Sequence, residues 1–190
     1  MKHTLRKQVL LRRKAMAESE VLKKSQQVKR LLFSSPLYQT AQTILFYVSY
    51  DNEVRTHEMI QESLRNGKTV LVPKVNTKNK TCTLSKLSSW EDLSLGAYSI
   101  LEPRDDCAQE ITASSVNLFI IPGVVFDLHG NRIGHGFGYY DRLLQKKNAA
   151  NTLGLAFELQ IVERIPAEKH DVMVETIVTE DRIIRCKEFR

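Results

Sequence analysis

The stretch Val116-Asn-Leu-Phe-Ile-Ile121-Pro122-Gly123-Val-Val-Phe-Asp127-Leu-His-Gly-Asn131-Arg132-Ile133-Gly134-His135-Gly136-Phe137-Gly138-Tyr139-Tyr140-Asp141 decides the fold. Val116 to Ile121 is a mostly apolar, β-branched run of strand length, closed by Pro122-Gly123, and predicts a buried strand. Asp127 to Gly138 reads as a long turn and Tyr139 to Lys147 as a helix. Three of the chain's 8 glycines fall at alternate positions between that strand and that helix. Glycine adopts positive φ and lets a backbone approach a ligand closely, so the N–H groups of such a loop can cradle an anion, a phosphate above all. The spacing G-x-G-x-G fits neither the dinucleotide pattern G-x-G-x-x-G nor the P-loop, because no Lys-Ser or Lys-Thr follows the last glycine. The plainer alternative is a tight turn without a ligand. Against it stand Arg132 before the glycines and two tyrosines and Asp141 after them. Together these put a cation, backbone donors, flat rings and a hard carboxylate at one strand end, where open α/β sheets bind ligands.

Outward from this unit, strands and helices alternate. Leu5, Val9 and Met16 recur at helical spacing, and Lys2, Arg6 and Arg13 form an adjacent basic rim that reads most simply as a solvated face. A second helix is expected from Ser19 as N-cap, with Val21, Ser25, Val28 and Leu32 on one side, ending before Ser34-Ser35-Pro36. Ile44 to Val48 predicts a buried strand, Thr56 to Leu64 a helix closed by Asn66-Gly67, Thr69 to Val72 a strand, and Thr81 to Leu87 an edge strand. Ser88 to Thr112 is the least patterned part. Beyond the glycine loop, Thr152 to Phe157 predicts a strand, Leu159 to Arg164 a short helix, and Glu175 to Ile184 a terminal strand or hairpin. The expected fold is α/β: a three-layer α-β-α domain over residues 1–190 with a mostly parallel central sheet covered on both faces.

Composition narrows the class. At 190 residues, 42% hydrophobic and 26% charged, the chain matches an ordinary globular protein, and 8 Gly and 5 Pro without period exclude a collagen-like one. No apolar run approaches the ~18 residues of a membrane span. No secretory signal is read at the N-terminus, so a cytoplasmic protein is expected. Cys82, Cys107 and Cys186 are widely spaced and read as free thiols. The net charge of +6 suits either nucleic acid or an anionic small molecule.

With these residues in view, the chain resembles the 5-formyltetrahydrofolate cyclo-ligase family over nearly its whole length. The resemblance rests on Ile121 to Arg142, supported by Lys2-x-x-x-Arg6, Val48-Ser-Tyr-Asp-Asn-Glu53, Pro73-Lys74 and Glu102-Pro103. It implies ATP- and magnesium-dependent closure of 5-formyltetrahydrofolate to 5,10-methenyltetrahydrofolate through a phosphorylated formyl group, with release of ADP and phosphate. Carried over by position, Lys2, His3, Thr4, Leu5 and Arg6, and Arg132, Ile133, Gly134, His135, Gly136, Phe137, Gly138, Tyr139 and Tyr140, would contact ATP. Arg6, Val48, Glu53, Tyr98 and His135 to Tyr139 would contact the folate. Arg132 and Lys74 would be catalytic, and Asp141 and Asp171 would hold magnesium. Each has a simpler reading. Glu53 and Lys74 suit solvated positions, the tyrosines suit a core, Asp171 suits a loop, and Asp141 serves equally as a helix first-turn carboxylate. His135 and Phe137 stand where relatives are often basic or Gly, and Glu175 where they tend to carry Asp.

Two other readings compete. Asn131-Arg-Ile-Gly134-His-Gly136 approximates the pyrophosphate loop of acyl-CoA-dependent acetyltransferases, without its first Arg or Gln. The basic N-terminal helix would suit a nucleic-acid module, although no aromatic-rich strand or zinc pattern accompanies it. The expected partners are therefore ATP and 5-formyltetrahydrofolate, with no nucleic acid and no membrane, and the expected unit is a monomer.

Overall fold

The computed structural model describes residues 1–76, 81–96, 99–145, 147, 150–166, 168 and 171–186. Five parallel strands form its centre: β1 (Thr43–Leu45), β2 (Thr69–Asn76), β7 (Leu118–Ile121), β10 (Asn151–Leu155) and β12 (Thr176–Val178). Antiparallel strands flank them, β3 (Thr81–Leu87) and β6 (Gln109–Ile111) beyond β2, and β13 (Ile183–Arg185) beyond β12. The order is β13-β12-β10-β7-β1-β2-β3-β6. Between them lie the hairpin β4 (Leu93–Leu95) and β5 (Leu101–Pro103), and a small sheet of β8 (Val125–Asp127), β9 (Arg132–Ile133) and β11 (Ile161–Val162).

Period-2 alternation splits the core into two layers. Ile44, Val70, Val72, Leu118, Ile120 and Leu153 face the layer containing Val21, Val28, Leu32, Met59 and Ile60, which come from α2 (Glu18–Ser34) and α4 (His57–Arg65). Leu45, Leu71, Phe119 and Ile121 face the other layer, with Leu143 and Leu144 of α5 (Tyr139–Leu144). A strand apolar at every position is what a parallel sheet covered on both faces requires. The helix α1 (Lys2–Lys14) packs Leu5 and Val9 on Val124 and on Val125 and Ile133 of the small sheet.

Several boundaries differ from expectation. α2 starts at Glu18 with Ala17 as its N-cap, so Ser19 lies inside the first turn. Pro36 opens a helix of its own, α3 (Pro36–Thr40), where Ser35 Oγ accepts from Tyr38 N. β3 is interior, because β6 from the unpatterned segment covers it. The predicted turn at Asp127 contains the β8–β9 hairpin, α5 stops at Leu144, and the helix expected at Leu159 to Arg164 is a 3-10 turn running into β11. Glu175 to Ile184 does form a hairpin, β12 with β13.

Candidate active site

After β1 the chain moves to β2 on one side, and it later returns to β7 on the other. β1 and β7 therefore bound a topological switch point, where α/β sheets open a crevice beyond their carboxyl ends. A cavity of about 770 Å³ occupies this place. Tyr47, Val48, Tyr50 and Glu53 after β1 line one side, and Pro122 and Gly123 after β7 another. Arg132 to Arg142 form the glycine-loop wall, and Lys2, Arg6, Glu168 and Asp171 line the cavity as well.

The hairpin before the glycines is built by Asp127. Its fully buried carboxylate accepts from His129 N at 3.0 Å, Asn131 N and Asn131 Nδ2 at 2.9 Å, and Ile165 N at 2.8 Å. A carboxylate with so many donors is a fixed turn organiser, and it sets Arg132 at the start of the loop. The Arg132 side chain is 5% exposed, and its Nη2 donates to Asp141 Oδ1 at 2.7 Å. Its Nε is buried with no hydrogen-bond partner among the described residues. Burial pulls this guanidinium down and Asp141 opposes the shift; it remains charged, as Arg does in proteins.

Gly136 has φ +103° and Gly138 φ +67°, conformations that L side chains rarely adopt. Gly138 ends the loop at α5, and Arg142 Nη2 donates back to Phe137 O at 2.9 Å. Arg6 Nε donates to Gly134 O at 2.9 Å, so α1 braces the loop from outside. Lys2 Nζ sits 2.6 Å from Asp171 Oδ2 and 3.2 Å from Glu168 Oε1. Burial works against this ammonium, but its hydrogen bonds to Asp171 and Glu168 outweigh that and hold its pKa above the usual value.

Also in the cavity wall, Glu53 is 5% exposed, its Oε2 accepting from Tyr50 N at 3.2 Å. His135 Nε2 lies 3.7 Å from Glu53 Oε1 and 3.0 Å from Tyr50 Oη. Burial first, then Glu53, pushes the Tyr50 phenol up to about 12. Burial also raises Tyr140 well above its ordinary value.

Most of the expected site residues therefore meet in one cavity: Lys2, Arg6, Val48, Glu53, Arg132, the loop from Ile133 to Tyr140, Asp141 and Asp171. Four do not line it. His3 and Thr4 face solvent, Leu5 packs under α1, and Lys74 turns away to pair with Asp105 while its strand neighbours Pro73 and Val75 reach the cavity. Successive strand residues point to opposite faces, so the catalytic position expected of Lys74 has no support in this geometry. Tyr98 lies outside the described residues. Sequence reasoning missed Tyr47, Val75, Cys82, Arg142, Gln145 and Glu168 as wall residues. Val75 and Cys82 are register partners on β2 and β3, a pairing that alternation within each strand could have suggested.

A doubly covered α/β domain with a large cavity at its switch point, where cations meet carboxylates and aromatic rings, defines the class: an α/β enzyme. The comparisons specify it further. The chain belongs to the 5-formyltetrahydrofolate cyclo-ligase family, whose model matches residues 1–180, and is thus a ligase. It is 28% identical over 190 residues to the 5-formyltetrahydrofolate cyclo-ligase of Mus musculus, covering 95% of this chain and 94% of that one. It is 29% identical over 175 residues to that of Escherichia coli K12, covering 90% and 96%. The NMR structure of Aquifex aeolicus 5,10-methenyltetrahydrofolate synthetase superposes with a TM-score of 0.87 at 33% identity, covering 100% of this chain and 94% of that one.

Proposed function

We propose that this ligase converts 5-formyltetrahydrofolate and ATP to 5,10-methenyltetrahydrofolate, ADP and phosphate. The carrying observation is the cavity itself, whose lining brings the buried Glu53 carboxylate, the glycine loop and the cations Lys2, Arg6 and Arg132 together. The carboxylate of Glu53 suits the adjacent amino and imino donors of a pterin, with Val48 and Tyr139 offering apolar and aromatic surface to the ring. Arg132, Arg6 and the loop amides suit a triphosphate.

The formyl oxygen attacks the γ-phosphorus, the bond to ADP breaks, and an imidate phosphate forms. The neighbouring ring-closing nitrogen then attacks the formyl carbon, the carbon–oxygen bond breaks, and phosphate leaves as that nitrogen loses its proton. Phosphoryl transfer demands mainly positioning and charge neutralisation. Arg132 suits that task, because its buried Nε is an N–H with no hydrogen-bond partner among the described residues.

Asp141 and Asp171 already have cation partners, and no cage of three His, Cys, Asp or Glu exists among the described residues. That donor set suits magnesium arriving with the nucleotide, which keeps waters and phosphate oxygens as its other ligands. Asp141 and Asp171 would hold it there, and it would neutralise phosphate charge.

The test is to mix the protein with 5-formyltetrahydrofolate, ATP and magnesium and follow methenyl formation by absorbance. Turnover is expected only with all three, and full turnover without nucleotide or with a chelator would overturn the reading.

A further inference from the structure

The turn that presents Glu53 is locked by its own hydrogen bonds. Glu53 N donates to Tyr50 O at 3.2 Å with Asp51 between them at φ 49°, and Tyr50 N donates to Glu53 Oε2 at 3.2 Å. Ser49 and Thr56 exchange two bonds of 3.0 Å, each backbone N–H to the other's hydroxyl. Asn52 Nδ2 donates to Arg13 O and to Met16 O, both at 3.1 Å, which ties the turn to the end of α1. Tyr50 and Glu53 therefore hold one another in place.

The glycine loop is held differently. His135 stands between Gly134 and Gly136, and with no side chain from either neighbour this part of the loop takes its position from other elements. Arg6 Nε supplies one hold, at Gly134 O. His135 supplies another, 85 positions away in the chain: its Nε2 lies 3.0 Å from Tyr50 Oη, and the two rings stand 5.6 Å apart. The phenol donates to a bare Nε2 or accepts from an N–H there, so the bond forms with either tautomer. Glu53 Oε1, at 3.7 Å from the same Nε2, is beyond hydrogen-bond length. The imidazole thus grips the turn through the phenol and leaves Oε1 to a ligand.

We propose that His135 is a positioning residue that couples the two substrates: ATP phosphates on the loop amides fix His135, and His135 through Tyr50 fixes Glu53 for the folate. Each ligand then raises the affinity for the other. The first to bind bears the cost of ordering the link, the second meets it already ordered, and linkage makes the effect equal in both directions. Coupled binding favours the complex in which the formyl oxygen, and not water, meets the γ-phosphate. The proposal rests on the reading that places ATP at the glycine loop and folate at Glu53.

The experiment uses calorimetry to measure the Kd of 5-formyltetrahydrofolate with and without saturating adenylyl imidodiphosphate and magnesium, and the Kd of that non-hydrolysable ATP analogue with and without the folate. The proteins are the parent, His135→Ala, His135→Gln, Tyr50→Phe and the double variant His135→Ala/Tyr50→Phe. In the parent each ligand should lower the other's Kd by one common factor, roughly five- to ten-fold. In His135→Ala and in Tyr50→Phe the factor should fall to within about two-fold of unity, and the double variant should lose nothing further, as expected of residues acting through one bond. His135→Gln, whose amide both donates and accepts, should keep most of the factor. Hydrogen exchange over residues 49–54 should slow when the analogue alone binds the parent, and not when it binds His135→Ala. The His135 side chain is 32% exposed, so its variants should melt within about 2 °C of the parent. Absence of a mutual effect in the parent, the full factor in His135→Ala, or a Gln variant as uncoupled as the Ala one would overturn the proposal. Weaker binding of each ligand alone with the factor intact would also overturn it, making His135 an ordinary contact. A much lower melting temperature with loss of both ligands would do the same and make it structural. A parent that binds the analogue but no 5-formyltetrahydrofolate would show that the folate reading had failed first, and the coupling would fall with it.

Discussion

Replacing Asp141 by Asn removes the carboxylate that touches Arg132. As a first-turn residue of a helix, Asp141 would be worth only ~0.3–1 kcal/mol through the dipole. The packing changes that figure. Arg132 is 5% exposed at the side chain, its Nη2 lies 2.7 Å from Asp141 Oδ1, and its Nε has no partner among the described residues. Removing one member of a buried pair costs ~3–5 kcal/mol, because the other is left uncompensated. Asp141 is 25% exposed and an Asn oxygen can still accept from Nη2, which reduces the expected cost to about 2 kcal/mol. In a domain of this size that is a fall of ~4–8 °C in melting temperature, read by circular dichroism. Arg132→Met leaves behind only a quarter-exposed carboxylate that water can reach, so it should cost less than ~1 kcal/mol while abolishing activity. The double variant Arg132→Met/Asp141→Asn should recover most of the Asn loss. The Asn enzyme should also need more magnesium for half-maximal rate. A single Asn variant melting within ~1 °C of the parent would refute the claim that Asp141 compensates a buried Arg132.

Gly138→Ala places a Cβ 3.0 Å from Arg142 Nη1 at φ +67°, and should cost ~1–2 kcal/mol and raise the KM for ATP; an unchanged KM would separate the loop conformation from nucleotide binding. Lys74→Ala should keep its rate within about two-fold of the parent, as surface changes usually do, and a large loss would restore Lys74 to the phosphate site. The Tyr50 phenol, raised to about 12, ionises in unfolded chains near 10, so its contribution to stability is complete below pH 10 and disappears between there and pH 12. Ultraviolet titration of the parent minus Tyr50→Phe should show a phenol ionising near 12, and a transition near 10 would contradict its burial.

The strands of the parallel core were legible because every residue of Leu118–Ile121 is apolar, and only a sheet covered on both faces uses such a run. The glycine loop and Arg132 were legible because they are written locally, as glycines at alternate positions next to a cation. β6, the β8–β9 hairpin and β11 were not, since strands of two or three residues carry no period, and their existence depends on distant partners such as β3. The same limit governs the charges. In the sequence Lys2, Arg6 and Arg13 make one basic rim, yet packing sends the first two into the cavity and buries the third, while Lys74 turns outward to Asp105. Local spacing determines which residues share a face. Which way that face turns, and which carboxylate it meets, follows from burying α1 against a sheet more than a hundred residues downstream, as Arg6 Nε on Gly134 O shows.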